Sequence, residues 1–306
     1  MKNIKRISII MLVLIVAMIS PVLGTEVLTE ERITTDGSLH SHPDVYGDIV
    51  VWHDDRNSNY DIYGKNLKTG ENLTIYVGPG DQQYPAIYGD IVVWQDYRNG
   101  IPDIYGKNLK TGENLTICVD PQPQQYPVIY GDIVVWQDGR NGTWDIYGKN
   151  LKTGENLTIY VGPQTQQEPS IYGDIVVWYD DRNSNYDIYG KNLKTGENLT
   201  ICVEPLDQAH LDIYGDIVVW QDSRSGINWD IYGKNLKTGE NLTICNEIDS
   251  QYYPAIYCSR VVWSDIRNAS NYDIYLANLD VVCKTTTHKS LPIAQIMKIL
   301  GLGQKE

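Results

Sequence analysis

Three charged residues recur around a tryptophan in each of six sequence repeats, and they are the first candidates for chemistry. An aspartate stands two residues after the tryptophan, an arginine two residues further on, and a second aspartate five or six residues beyond the arginine. The first aspartates and their arginines are Asp54 and Arg56, Asp96 and Arg98, Asp138 and Arg140, Asp180 and Arg182, Asp222 and Arg224, and Asp265 and Arg267. The second aspartates are Asp61, Asp103, Asp145, Asp187, Asp230 and Asp273.

This recurrence is compatible with two kinds of chemistry. Residues two apart in a strand share a face, so each aspartate and arginine can form a charge-assisted pair that holds a hairpin. A calcium loop would need oxygen ligands at alternating positions, whereas arginine occupies the third position in every copy. Because a catalytic group is needed only once, sixfold recurrence favours structural pairs.

Histidines and catalytic motifs give little support to a reaction centre. His40, His42 and His53 lie in the first repeat, and a His-x-His pair can chelate a metal ion. No third ligand stands nearby in the sequence, so we predict neither a metal site nor a cofactor. The sequence also lacks a Gly-x-Ser-x-Gly elbow, a His-Glu-x-x-His pair and a phosphate-binding glycine loop. Catalytic residues are therefore not predicted.

Two further residue types recur and could be modified. Asn-Leu-Thr sequons begin at Asn72, Asn114, Asn156, Asn198 and Asn241, and two other sequons begin at Asn141 and Asn268. They are candidate glycosylation sites, or else ordinary residues copied by duplication. Five cysteines leave at least one thiol unpaired within the chain. Cys118, Cys202 and Cys245 take the place of Tyr76 and Tyr160 and read as apolar fillers, whereas Cys258 and Cys283 are the pair to test.

The elements that carry these residues are set by the repeat. Trp52, Trp94, Trp136, Trp178, Trp220 and Trp263 are 42, 42, 42, 42 and 43 residues apart, and the segment GKNLKTGENLTI occurs five times without change. Within one repeat we predict strands at Pro85–Tyr88, Ile91–Gln95, Asp103–Leu109 and Asn114–Val119. Four strands in about 40–45 residues is the blade length of a propeller.

The fold class is therefore predicted to be all-β, a six-bladed β-propeller with four antiparallel strands per blade. Radial packing lets each blade cover its neighbour. The sixth repeat lacks the TGENLTI segment. We predict that Glu31–Thr35 closes the ring as an N-terminal strand, with Val281–Thr286 as the alternative.

Charge and the chain ends limit the location and the partners. The formal net charge is −14, which argues against nucleic acid and anionic lipid as partners. Residues 1–24 have the basic start and short apolar run of a signal peptide, with an uncleaved membrane anchor as the alternative. We therefore expect an exported protein, extracellular or on the cell surface, with a propeller over residues 25–280 and a weakly patterned tail over 281–306. No membrane span is expected after cleavage, and the sequence does not indicate an oligomeric state.

The phrase Trp-x-Asp-x-Arg-Asn-Gly followed by Asp-Ile-Tyr-x-x-Asn-Leu, at Trp94–Leu109, resembles the TolB-type propeller repeat. The variant with Tyr-Gly-Asp before the Val-Val-Trp strand is similar to tandem-repeat surface proteins of methanogenic archaea. The resemblance covers residues 31–280. It implies a six-bladed TolB-like propeller with surface display and macromolecular contact, since propellers carry many unrelated activities.

The repeats differ from one another on one side only. The turns Tyr-Gly-Asp and Lys-Thr-Gly-Glu are nearly invariant, whereas the hairpins between second and third strands and the connections between blades vary. We predict that this variable side binds a protein or glycan of the cell envelope, unless its differences are loop drift. The candidate contact residues are Tyr97, Tyr126, Trp144, Tyr186, Trp229, Asp81 and Glu168.

A propeller enzyme acting on envelope polysaccharide, as a lyase or a hydrolase, is the alternative function. An uneven cluster of titratable groups around the central channel would favour the enzyme. A channel with sixfold-even residues would favour the binding module.

Overall fold

The computed structural model describes residues 33–34, 37–267 and 273–279. These residues form strands and no helices, arranged in six antiparallel sheets. Blade one has β1 (His40–Tyr46), β2 (Ile49–Asp54), β3 (Asp61–Asn66) and β4 (Asn72–Tyr76), and blade two has β5 (Gln82–Tyr88), β6 (Ile91–Asp96), β7 (Asp103–Asn108) and β8 (Asn114–Cys118). Blade three has β9 (Gln124–Tyr130), β10 (Ile133–Asp138), β11 (Asp145–Asn150) and β12 (Asn156–Tyr160).

Blades four to six repeat the same order from the inner to the outer strand. Blade four has β13 (Gln166–Tyr172), β14 (Ile175–Asp180), β15 (Asp187–Asn192) and β16 (Asn198–Cys202), and blade five has β17 (Gln208–Tyr214), β18 (Ile217–Asp222), β19 (Asp230–Asn235) and β20 (Asn241–Cys245). Blade six has β21 (Gln251–Tyr257), β22 (Arg260–Asp265) and β23 (Asp273–Asn278) within the described part of the chain. The predicted six-bladed propeller is confirmed.

The first strand of each blade is longer than the sequence indicated. In blade two it begins at Gln82 instead of Pro85, because Gln82 and Gln83 pair with Asp96 and Gln95 on the far side of a β-bulge. Proline is tolerated there because the strand is the inner edge of its sheet, where an N–H is not needed by a further strand. The bulge re-aims one side chain per blade, which matters for the site described below.

The core lies between the blades, and the second strands contribute more of it than the other strands do. Between blades one and two, Val51 and Ile62 pack against Val92 and Trp94, and all four are fully buried. Equivalent clusters fill the next four interfaces. Burying a tryptophan in this way removes a large apolar surface from water. Each fully buried aliphatic side chain adds about 2–3 kcal/mol, so each interface stabilises the propeller by several kcal/mol.

The third strands approach the second strands so closely that glycine is needed at one position. A Cβ atom on Gly106 would lie 2.7 Å from the carbonyl oxygen of Val92 and 3.2 Å from Cδ1 of Ile117. The same short approach occurs in blades one to five. The GKN phrase is therefore repeated for a steric reason.

Ile33 and Thr34 are the described residues of the predicted N-terminal strand; neither is assigned to a strand, but Ile33 contacts blade one as a closing segment would. In blades two to five, the strand-three lysine donates to the carbonyl of an isoleucine in the preceding blade's fourth strand, as Lys107 does to Ile75 at 2.8 Å. In blade one, Lys65 donates to the carbonyl of Ile33 at 3.4 Å. Ile33 also packs beside Val50, Trp52 and Tyr63. These contacts give Ile33 the position of a fourth-strand isoleucine. Glu31, Arg32 and Thr35 of the predicted strand and the alternative Val281–Thr286 lie outside the described residues.

The cysteines fall into two groups. Cys118, Cys202 and Cys245 are free thiols at the ends of fourth strands. Cys258 is disulfide-bonded, and Cys283 lies outside the described residues, as do the predicted signal peptide over residues 1–24 and the predicted tail over 281–306. Among the residues that the structure describes, none belongs to a helix that could cross a membrane.

Candidate functional site around the central channel

The recurrent aspartate and arginine form a buried pair in every blade. In blade three, Asp138 is 0 % exposed and accepts hydrogen bonds from Nε of Arg140 at 2.8 Å and from Nε1 of Trp136 at 2.9 Å. A second guanidinium nitrogen lies 2.5 Å from the same carboxylate. In the equivalent pair of blade one, burial works against ionisation, but the hydrogen bonds from Arg56 and Trp52 hold the pKa of Asp54 below its usual value. These pairs hold hairpins and leave the carboxylates with no access to a ligand.

In blades one to four the second aspartate is held by an asparagine and not by the arginine. Nδ2 of Asn141 donates to Asp145 at 2.7 Å and to the hydroxyl of Tyr147 at 2.9 Å. Asn57, Asn99 and Asn183 make the same two contacts in their blades. The sequence interpretation did not assign this amide a role.

In blades two to six the arginine of the pair also contacts the fourth strand of the preceding blade. The guanidinium of Arg98 lies 3.7 Å from the ring of Tyr105 in its own blade and 4.6 Å from the ring of Tyr76 in the preceding blade. Where the preceding blade has cysteine, the sulfur takes the place of the ring, as at Cys118, 3.5 Å from Arg140. Burial raises the pKa of Cys118 to about 11, so the thiol stays protonated and inert at neutral pH.

Six side chains form a collar at the end of the channel that faces the variable loops. They are the third residues of the six inner strands: His42, Tyr84, Tyr126, Glu168, His210 and Tyr253. Neighbouring rings touch, with centroids 4.3 Å apart for His42 and Tyr84 and 4.7 Å apart for Tyr84 and Tyr126. Nδ1 of His210 lies 3.1 Å from Oε2 of Glu168, and its ring lies 4.8 Å from Tyr253. We call these six residues the collar.

Every collar residue has a left-handed backbone. Their φ angles lie between 45° and 53°, a conformation that costs about 1 kcal/mol or more for a residue with a side chain. Glycine would remove this strain, yet no repeat has glycine there. Strained residues of this kind cluster at ligand sites, so the collar is the first candidate site.

The preceding blade supports the strained backbone. The side-chain oxygens of Gln95, Gln137 and Gln221 accept the N–H groups of Tyr126, Glu168 and Tyr253 at 3.1–3.2 Å. In blade one, Nδ1 of His53 accepts the N–H of Tyr84, so its hydrogen lies on Nε2, toward Ser41. Burial and the nearby His42 lower the pKa of His53 to about 4, which keeps Nδ1 free to accept at neutral pH.

The middle of the channel has residues that differ strongly from blade to blade. The six positions are Asp44, Ala86, Val128, Ser170, Asp212 and Ala255. Each aspartate accepts a backbone N–H from the next blade, Asp44 from Ile87 at 2.8 Å and Asp212 from Ile256 at 2.9 Å. Burial raises the pKa of both carboxyls to about 6, and for Asp44 the charge of Asp212 adds to the effect. The channel is therefore uneven in both shape and charge.

A ring of tyrosines narrows the other end of the channel. Tyr46, Tyr88, Tyr130, Tyr172, Tyr214 and Tyr257 end the six inner strands. The five consecutive centroid distances are 4.7, 4.8, 4.8, 4.6 and 4.9 Å. In a regular hexagon the distance to the centre equals the side, so each ring lies about as far from the channel axis as from its neighbour. Only a slender group can enter between such rings.

The predicted contact residues do not form one cluster. Tyr126 and Glu168 belong to the collar, and burial, Tyr84 and Glu168 raise the pKa of Tyr126 to about 12. Tyr186 lies 5.0 Å from Tyr179, which is next to the collar. Tyr97, Trp144 and Trp229 lie in hairpins of the variable side. Asp81 accepts the N–H of Tyr60 at 3.0 Å and so fixes a blade connection.

The sequence interpretation missed Tyr84, His210, Tyr253 and the pair Asp44 and Asp212 as site residues. A column comparison of the six inner strands contains the signal, because HSHPDVY and QAHLDIY share His-x-Asp where the others have Tyr-x-Ala, Tyr-x-Val or Glu-x-Ser. Among the described residues, no group of three His, Cys, Asp or Glu side chains is placed to hold a metal ion.

Comparisons with known proteins agree with the fold. No family model and no curated protein matches the sequence. TolB from Acinetobacter baumannii is similar in structure at 16 % identity and a TM-score of 0.50, over 71 % of this chain and 59 % of that one. A putative TolB from Agrobacterium tumefaciens is similar at 15 % identity and a TM-score of 0.53, over 71 % and 83 %. The acylaminoacyl peptidase of Pyrococcus horikoshii is similar at 15 % identity and a TM-score of 0.60, over 81 % and 46 %.

These similarities establish a TolB-like propeller fold that peptidase propeller domains also share. The chain spans less than two thirds of the Acinetobacter protein. At such low identity the likeness concerns the fold alone, and the resemblance to archaeal surface proteins stays a prediction.

Proposed function

We propose that this chain is a secreted or cell-surface binding module that contacts a protein or glycan of the cell envelope through its variable loops. The observation that carries the proposal is the location of the positions at which the repeats differ in residue type. Trp94 and the Lys-Thr-Gly-Glu turn have near copies in every complete blade, whereas the collar and the middle of the channel change from blade to blade. Side chains kept on a strained backbone at this end support a contact surface.

The two sides of the propeller also differ in charge. All ten lysines of the described residues lie in the GKNLKTG segments, away from the variable loops. The arginines of the variable side pair with buried aspartates, as Arg140 does with Asp138. Exposed carboxylates such as Glu247 and Asp249 are left without a compensating lysine on this side. A partner that docks there would therefore meet an acidic surface rich in aromatic rings.

The proposal is tested with a collar made uniform by the protein's own alternative residue. The variant His42→Tyr, Glu168→Tyr and His210→Tyr gives all six blades tyrosine at this position, and Tyr84, Tyr126 and Tyr253 demonstrate that the backbone accepts it. We expect this variant to lose the envelope partner that the wild type captures, while its thermal midpoint stays within a few degrees.

The matched control lies on the opposite side of the disk. Lys110→Ala removes an exposed lysine from an invariant turn, and it should capture the same partner as the wild type. Unchanged capture by the collar variant, or equal loss in the Lys110 variant, would contradict a binding surface at the variable loops.

A second candidate function has one observation in its favour. The channel is uneven in titratable groups, which by the criterion set out above favours an enzyme acting on envelope polysaccharide. Against it, Asp44 and Asp212 each accept backbone N–H groups, and the rings leave little room for a sugar. Release of reducing ends or unsaturated sugars from envelope polysaccharide, abolished by Asp44→Asn, would establish the enzyme instead.

Glycan attachment is a separate part of the proposal. The five Asn-Leu-Thr sequons begin the fourth strands, where Asn114 and Thr116 are exposed at the outer edge of the blade. A glycan there would block pairing between exposed edges. Asn141 is different, because both hydrogens of its Nδ2 are used by Asp145 and Tyr147.

We therefore expect selective modification in a host that glycosylates secreted proteins. Peptide mapping by mass spectrometry should find glycans on Asn114 and its four repeat equivalents and none on Asn141. The contrary pattern, with Asn141 occupied and the strand sites empty, would mean that the hairpin amide is free to react and that the edge interpretation is wrong.

A further inference from the structure

The lining of the channel carries carboxylates and no lysine or arginine. Among the described residues, the inner strands contain neither of these two residue types. Their carboxylates are Glu168, Asp44 and Asp212, and Glu168 lies 3.1 Å from Nδ1 of His210. A negative, narrow and partly dry channel attracts a cation more strongly than an open surface does.

Aromatic rings form the entrance to this lining. Tyr84 and Tyr126 stand side by side in the collar with ring centroids 4.7 Å apart, and Tyr253 lies across from them beside His210. The face of a tyrosine ring attracts a positively charged nitrogen, and the ring also packs well against methylene groups. The rings at the entrance therefore favour a cation on an apolar stem, and they do so independently of the carboxylates.

The middle of the channel is chemically mixed. Blades two, three and six place Ala86, Val128 and Ala255 at this depth. Blades one, four and five place Asp44, Ser170 and Asp212 there, and Ser170 donates to Asp212 at 3.2 Å. A ligand in this channel would meet both apolar groups and oxygen acceptors.

We propose that the channel binds a primary ammonium group on an unbranched alkyl stem, which enters between the collar rings and reaches Asp44 and Asp212. The inference rests on the proposed function, because the ligand arrives from the variable loops. The width set by the collar and the tyrosine ring restricts the ligand to a slender chain. A carboxylate has about four acceptor positions, so each aspartate keeps acceptors for an ammonium after binding backbone N–H groups.

The chemistry is shared by a lysine side chain and by a free alkylamine, and the experiment separates them. The probes are acetyl-Gly-Lys-Gly amide, its norleucine analogue as the uncharged isostere, and n-butylammonium chloride, each titrated into the full chain by calorimetry at pH 7.5. We expect saturable binding of the lysine peptide and none of the norleucine peptide. Butylammonium binding with equal affinity would identify a free amine as sufficient, and weaker binding would identify a peptide-borne side chain.

Two variants locate the site. The double variant Asp44→Ala and Asp212→Ala introduces the residue that blades two and six already have at this position. It should lower the affinity for the lysine peptide at least about tenfold, which corresponds to the loss of one charge-assisted contact or more. Glu247→Gln removes an exposed carboxylate from the variable side outside the channel, and it should leave the affinity unchanged.

Three results would overturn the inference: equal binding of the norleucine peptide, equal weakening by Glu247→Gln, or no saturable binding of any probe. If the probes fail while the uniform-tyrosine collar still loses the envelope partner, the binding module stands and the ammonium ligand is wrong. If the probes bind but the collar variant keeps its envelope partner, the channel site stands apart from that partner.

Discussion

Asp138→Ala should lower the free energy of unfolding by about 3 kcal/mol, the lower end of the range for breaking a buried ion pair. The carboxylate is 0 % exposed and accepts hydrogen bonds from the Arg140 guanidinium and from Nε1 of Trp136. Its removal leaves the tryptophan N–H without an acceptor inside the core. The arginine is 31 % exposed, so water compensates part of its loss, which is why the lower end of the range applies.

The measurement is urea unfolding followed by tryptophan fluorescence, with two comparison variants. Arg140→Ala should cost at least as much, because it leaves a charged carboxylate buried with Trp136 as its remaining side-chain donor. Glu113→Ala, on an exposed turn of the opposite side, should change the free energy of unfolding by less than about 0.5 kcal/mol. A loss below about 1 kcal/mol for Asp138→Ala would mean that the pair does not hold its hairpin.

Most of the fold was predictable because the same turn and strand patterns recur in the six repeats. Each Tyr-Gly-Asp turn, β-branched second strand and Lys-Thr-Gly-Glu turn points to the same four-stranded blade, and near-identical copies leave one radial packing that covers every face. The Asp–Arg pair was also predictable, because residues such as Asp96 and Arg98 are two apart and recur in every blade.

The collar was not predictable by the same reasoning, because the sequence did not show the β-bulge. The first strand of blade two was predicted to begin at Pro85, which left Tyr84 outside it, whereas the bulge lets the strand continue back to Gln82. The equivalent bulge of blade three gives Tyr126 a φ angle of 52° and brings its ring into contact with Tyr84 of the preceding blade. Only the three-dimensional arrangement places third-position residues of different blades next to one another.

Asp44 and Asp212 escaped notice for a different reason. They stand in a column whose other members are Ala86, Val128, Ser170 and Ala255, and a sequence search for motifs gives no weight to residues 168 positions apart. Their chemistry arises from the channel, where burial raises the pKa of both carboxyls to about 6. The unevenness of the channel is thus the part of the site for which the structure was needed.

The same two carboxyls make the stability of the propeller depend on pH. Their pKa of about 6 in the folded chain lies above the value of about 3.9 in an unfolded chain. Between these values the folded state retains protons that the unfolded state releases, so the free energy of unfolding falls as the pH rises from about 4 to 6 and stays lower above that range. A shift of about two units corresponds to an upper limit of about 3 kcal/mol for each carboxyl.

The double variant Asp44→Ala and Asp212→Ala should therefore flatten the pH profile. Relative to the wild type, it should lose the decline between pH 4 and 7, so that the difference in unfolding free energy between the two proteins changes by several kcal/mol across that range. Ser170→Ala is the matched control, since it removes the hydroxyl that contacts Asp212 but no titratable group, and its profile should keep the wild-type slope. Parallel profiles for the wild type and the double variant would show that the channel carboxylates are solvated like surface groups. The proposal that the channel is desolvated and binds a cation would then be wrong as well.

A flattened profile in the double variant alone would locate the pH dependence in the channel. An added alkylammonium salt should then raise the free energy of unfolding of the wild type at pH 7 and leave that of the double variant unchanged.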